Sequence, residues 1–489
     1  MSDFITEIRK IPTNRLLHIL SNISIMMFEK LVHQISLPIE LTINGFNKSG
    51  SVLLTGWDIH SIAFHSVINS NDYRNSRKAL SLPELISLYR IYDNDHSAAD
   101  AISKSDFNGV FRIMMGMTSE QFIFQQVGLI IEKFNRDYHI LLAGKNYEHR
   151  AELDVDAVFQ DIFACTADDY VSLLMMLYWL CGKSPEPLKA LEEEGRIAYS
   201  GLFSSENISK LVQYYSCTYE DLRKSRLGKQ LLYSKPFIMT DCDGSYIMSS
   251  MFLFHFTLGN GLYWVVRDYY MKLSSQHFTN TFGLLFEDYI NDITAMYCTK
   301  GECTQLPRAT TKGADFLIDF GLMKLLIESK SALLPLGVKQ QVPNIKQADT
   351  FFSRTIQEAY DQLLSSYEEH KKYSLVPIIK IILLYDDFSN TGILEKAMTD
   401  IFDCDPACFV MTIRELEMLL YMHKHNSVKA QTIFERILEQ STQTRERESI
   451  GAICESFGVH DNPHLSGEMD YFHKLLRRFE KQLEKNNMN

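Results

Sequence analysis

Three side chains in two neighbouring segments have the types and spacing for chemistry on a charged substrate. The segments Gly313-Ala-Asp-Phe-Leu-Ile-Asp319 and Met323-Lys-Leu-Leu-Ile-Glu-Ser-Lys-Ser331 read as β-strands joined by a turn at Phe320-Gly-Leu322. Alternation places Asp315, Leu317 and Asp319 on one side of the first strand, and Leu326, Glu328 and Lys330 on one side of the second. Glu328 and Lys330 therefore project together at one end of an otherwise apolar strand. Hard divalent cations such as magnesium or manganese take carboxylate and carbonyl oxygens. Asp315 and Glu328 offer the carboxylates, and the backbone carbonyl of Ser329 offers a third oxygen. A cation held there polarises a phosphodiester and lowers the pKa of a water. Lys330 is suited to orient that water or to neutralise charge on phosphoryl oxygens. Asp319 has a simpler reading, as the residue that ends a strand at a turn.

The flanking elements must hold these groups in place. Phe282, Leu285, Phe286, Tyr289, Ile290 and Ile293 recur at helical spacing, with Glu287 at the edge of the apolar stripe. Downstream, 355–371 reads as a helix carrying Gln357 and Gln362. Residues 376–385 are nearly all apolar, as in a strand buried on both faces. A further strand at 409–412 and a helix at 414–422 follow.

A helical Glu287, then Gly-Ala-Asp315 on one strand and Glu328-Ser-Lys330 on the next resembles the PD-(D/E)xK, or restriction-endonuclease-like, nucleases. The resemblance covers under a third of the chain. It implies an α/β fold with an α-β-β-β-α-β core, and a magnesium- or manganese-dependent nuclease with Asp315, Glu328, Lys330, Glu287 and Gln362 as catalytic residues. Asp315, Glu328 and Ser329 would be the metal ligands. Gln362 best matches the glutamine that reaches the site in several branches of the family, and Gln357 is second. Ala314 stands where the name-giving proline would be, and the spacing Gln362 to Tyr367 is one residue longer than in RecB-like branches. The implied partner is nucleic acid, DNA before RNA or transfer RNA. Restriction and anti-phage defence are the settings such stand-alone nucleases resemble.

The chain has 489 residues, 46% apolar and 22% charged, the balance of a globular protein of two or three domains. Residues 1–230 read as a mainly helical sensor, regulatory or substrate-binding domain, 231–425 as the nuclease-like domain, and 426–489 as a helical extension. Within the first, 39–43 and 51–54 pair as a short hairpin. Ser81 to Glu84 is a capping box, and Thr118 with Gln121 repeats that pattern before a helix at 122–134. Asp168 and Asp169 open an apolar helix at 170–181, and two short strands flank Asp243-Gly244. The run 170–181 is shorter than the roughly 18 residues a membrane span needs, and 1–10 lacks a signal-peptide h-region. A cytoplasmic protein without a membrane partner is expected. The net charge of −12 argues against a protein that coats nucleic acid nonspecifically. A local basic groove, built with a partner or a second copy, would suffice for an enzyme.

Other motifs carry less. The nine cysteines lack zinc-knuckle spacing and read as mostly buried thiols. Asp319-Phe-Gly321 lacks the other kinase motifs, and Gly259-Asn-Gly261 is not followed by Gly-Lys-Ser/Thr. Met114, Met115 and Met117 read as core, and His423, His425, His460 and His464 as surface residues. Lys474, Arg477 and Arg478 read as a solvated face. The competing reading is a binding protein that keeps a nuclease-like fold without turnover and whose N-terminal half takes a protein trigger.

Overall fold

The computed structural model describes residues 3–487 except 44–45, 77, 96–101, 145–146, 191–204, 308–312, 341–342, 389 and 445–446. The architecture is mixed α/β: the described residues form helices and sheets of two, three and five strands. No helix among the described residues is long and apolar enough to cross a membrane.

The N-terminal half is mainly helical. Its hairpin is longer than its sequence indicated: Gln34–Ile43 pairs with Phe46–Thr55 in the register Leu37 to Val52 and Ile39 to Gly50. The turn at 44–45 lies outside the described residues. The second strand ends where Thr55 becomes the N-cap of Gly56–Asn69, in a capping box with Asp58. Thr118 does not cap a helix. It sits inside Phe107–Gln125, which Asp106 caps, and its hydroxyl donates back to the Met115 carbonyl at 3.1 Å. Thr166 caps Ala167–Lys183, with Asp168 and Asp169 in its first turn, where the helix dipole favours negative charge. The strands Phe237–Met239 and Tyr246–Met248 turn at Gly244, whose φ of 69° suits glycine. A third strand, Ser216–Thr218, pairs in parallel with Phe237–Met239 and is too short to show alternation.

Gly259 lies inside the helix Met251–Leu273, where a Cβ would stand 2.7 Å from the Ile130 carbonyl oxygen. The glycine lets the helix Val127–Tyr138 pack backbone to backbone.

The five-stranded sheet holds the segments singled out above. Numbering this layer alone, its elements are α1 (Ser275–Tyr297), β1 (Cys303–Gln305), β2 (Phe316–Asp319), β3 (Lys324–Lys330), α2 (Glu358–His370), β4 (Ile378–Leu384), β5 (Cys408–Thr412) and α3 (Ile413–His425). The strand order is β5-β4-β3-β2-β1; β1, β2 and β3 are antiparallel, and β4 and β5 run parallel to β3. Every residue of β4 is buried, as its nearly all-apolar run requires, and Lys380, the exception in that run, pairs with Asp405 at 3.2 Å. One face of the sheet (Phe316, Ile318, Leu325, Ile327, Ile381) joins a core continuous with the N-terminal and C-terminal helices. The other face (Leu326, Ile382, Val410) packs on Ile356, Ala359 and Leu363. The helix before β4 begins earlier than expected. Asn344 caps Ile345–Phe351, and a π-helical stretch, Phe352–Gln357, leads into α2.

The C-terminal helix Tyr471–Asn487 packs on the N-terminal half through Phe472, edge-on to Phe134 at 5.6 Å. His464 is fully buried rather than at the surface. Its Nδ1 pairs with the Tyr297 hydroxyl at 2.7 Å and its Nε2 with the Tyr289 hydroxyl at 3.2 Å.

Candidate active site

The β2–β3 pairing aligns Leu317 with Leu326, which face α2, so the side chains two positions away, Asp315 and Glu328, fall on that same face. Asp315, just ahead of β2, is fixed by its backbone. Its N–H donates to the Ile327 carbonyl (2.8 Å) and its own carbonyl accepts from Leu306 (2.7 Å). The Ser329 N–H and hydroxyl both donate to Asp315 Oδ2, at 2.8 and 2.7 Å. Ser329 therefore orients the Asp315 carboxylate through groups other than the carbonyl named from sequence.

Glu328 is only 3% exposed. Burial, then the charge of Asp315, push its carboxyl up to about 8, against the opposing pull of Lys330; Glu287 adds a smaller push. Its Oε2 has no hydrogen-bond partner among the described residues. Lys330 Nζ donates to Glu328 Oε1 at 2.7 Å and to Gln362 Oε1 at 2.7 Å. Thus α2 and β3 together orient the ammonium, with two of its three N–H bonds directed.

A cavity of about 610 Å³ opens over these groups, and Glu287, Asp315, Glu328, Ser329 and Gln362 line it. Glu287, on α1, sits on this wall and accepts from Gln305 Nε2 at 3.4 Å. A neighbouring cavity of about 390 Å³ shares Leu284, Glu287, Leu306 and Pro307 and continues toward His149. Gln357 does not reach the site. It closes the π-helical stretch and donates to Asp361 at 2.9 Å on the exposed side. Asp319 pairs with Lys324 at 2.9 Å and accepts from the Gly321 N–H, as a strand-ending residue does.

One contributor had no readable signal. The Ser366 hydroxyl, one turn beyond Gln362 on α2, accepts the Ala314 N–H at 2.8 Å. The same helix therefore steadies Lys330 through Gln362 and the approach to Asp315 through Ser366. Helical spacing shows that the two residues share a face, and only the fold shows what that face meets.

Among the described residues, no group of three or more His, Cys, Asp or Glu is arranged to hold a metal ion. Asp315 and Glu328 supply two neighbouring carboxylates, one with an unpartnered buried oxygen. That set fits magnesium, which characteristically uses one or two protein carboxylates and completes its shell with water and substrate oxygens. Comparison with protein-family models, curated proteins and solved structures finds no match to this chain.

Proposed function

We propose that this chain is a divalent-metal-dependent nuclease with a restriction-endonuclease-like core, acting on DNA in preference to RNA. The observation that carries the reading is the Lys330 ammonium held 2.7 Å from both Glu328 and Gln362, with Asp315 and Glu328 lining one cavity. The element order α1-β1-β2-β3-α2-β4, with β4 parallel to β3, supports it.

Asp315 and Glu328 would hold the cation, which supplies Lewis-acid polarisation of the phosphodiester and a more acidic water. The chain's own groups do the rest. Ser329 keeps one Asp315 oxygen turned into the site. Lys330, aimed by Gln362, presents its remaining N–H to the attacking water or to the phosphoryl oxygens as charge develops there. Glu287 lines the wall against which substrate must lie.

The test is incubation of purified protein with plasmid, linear DNA and total RNA, with magnesium, manganese or chelator, beside Asp315→Ala. Metal-dependent degradation lost in the variant supports the reading and identifies the nucleic acid. Equal degradation by wild type and variant refutes it. Metal binding without turnover on any nucleic acid favours the silent binding protein.

A further inference from the structure

β4 ends at Leu384, which is registered with Lys330 in the β3–β4 ladder. Each of the next three residues, Tyr385-Asp386-Asp387, reaches a different element. The Tyr385 N–H donates to the Lys330 carbonyl at 3.0 Å. Asp386 is buried and turns its carboxylate back onto the chain that leaves β3. Its Oδ2 accepts the Leu334 N–H at 2.8 Å, and Lys339 bonds the same carboxylate at 2.8 Å. The connection after Lys330 is thus pinned at both ends, at Lys330 by Tyr385 and at Leu334 by Asp386.

The other side of this tripeptide is gripped by the helix Val127–Tyr138. The Tyr385 hydroxyl donates to Asp137, and Lys133 stands 4.4 Å over the Tyr385 ring. Arg136, fully buried, reaches Asp387 at 3.4 Å while binding Glu417 through two bonds of 2.7 and 3.0 Å. The end of β4 therefore joins the N-terminal half to the backbone that carries Lys330.

We propose that Asp386 is a positioning residue for Lys330, acting through the Leu334 amide, and that the helix Val127–Tyr138 holds the tripeptide in the place where it can do so. Among the described residues, β3 makes no ladder bond beyond Lys330. The direction of its last side chain therefore depends on the next fixed point of the backbone, and that point is Leu334. Asp386 touches no reacting atom. The inference rests on the nuclease reading and names what keeps its lysine aligned.

The test compares wild type, Asp315→Ala, Asp386→Ala/Lys339→Met and Asp386→Asn/Lys339→Met, measuring manganese-supported kcat and KM on the nucleic acid that wild type cleaves, and manganese binding by calorimetry. Removing Lys339 in both double variants avoids a half-buried cation left without its partner. The alanine variant is expected to lose about 30–100-fold in kcat with KM and manganese affinity within about threefold, the pattern of a misplaced catalytic group rather than lost binding. The asparagine variant, whose amide oxygen still accepts from Leu334, should recover to within about fivefold of wild type. Asp386→Glu keeps the charge and moves it by one methylene, so it decides the matter if the alanine variant does not fold. Its kcat should fall by about tenfold or more. Wild-type kcat in Asp386→Glu, or in a folded alanine variant, overturns the proposal while Asp315→Ala still abolishes manganese binding. Manganese binding that survives Asp315→Ala, or a wild type that cleaves nothing, removes the nuclease reading itself and this proposal with it.

Discussion

Replacing Glu328 by glutamine should stabilise the metal-free protein at alkaline pH while destroying its activity. The carboxyl is buried beside Asp315 and is pushed from an ordinary 4.5 to about 8. The unfolded chain releases this proton near 4.5, and the folded chain keeps it until about 8. Below the lower value both states are protonated and stability is untouched. As pH rises toward 8 the unfolded state is increasingly favoured, and above it the whole penalty is present. At about 1.4 kcal/mol per pKa unit the ceiling is ~5 kcal/mol, which water entry and side-chain relaxation reduce to roughly 2–3 kcal/mol. Glutamine keeps the shape and an acceptor for Lys330 and carries no charge beside Asp315. Urea unfolding of both proteins in chelator should agree closely near about pH 5 and separate near about pH 9, with Glu328→Gln the more stable by roughly 2–3 kcal/mol. Magnesium should narrow the gap by stabilising the wild type, since an ion that binds only the folded state adds to its stability. Parallel stability profiles for the two proteins across this range, or a less stable variant near about pH 9, would refute the argument that Glu328 is a strained, cation-seeking carboxylate.

Gln362→Ala removes one of two acceptors that aim Lys330; kcat should fall by about 10–100-fold with little change in melting temperature, and an unchanged kcat would show that Glu328 alone orients the ammonium. Arg136→Met leaves Glu417 fully buried without its bidentate partner, so unfolding free energy should drop by about 3–5 kcal/mol in denaturant titration. A drop under about 1 kcal/mol would mean that water reaches the cluster. Thr166→Ala should cost about 1 kcal/mol as a lost N-cap, whereas Thr118→Ala, inside a helix, should stay within about 0.5 kcal/mol; equal costs in a melting comparison would contradict the helix boundaries described above.

What the sequence determined by itself is local and periodic. A two-residue repeat puts Glu328 and Lys330 on one face of β3 with Asp315 on the matching face of the neighbouring strand, because strand side chains alternate whatever surrounds them. The nearly all-apolar run of β4 announces a strand covered on both sides, and the stripe through Phe282, Leu285, Phe286, Tyr289, Ile290 and Ile293 is buried as its spacing demands. Long-range contacts decided the rest. The π-helical stretch keeps Gln357 out of the site, and only the fold brings Gln362 to Lys330. Thr118 has the spacing of a cap, but an upstream cap at Asp106 carries the helix past it. His464 looks like a surface histidine until two tyrosines from α1 close over it. Asp386, Ser366 and Arg136 bond to partners 52, 52 and 281 residues away in the chain. No local pattern encodes such pairs, because a buried charge or hydroxyl is stable only against a partner that folding alone delivers.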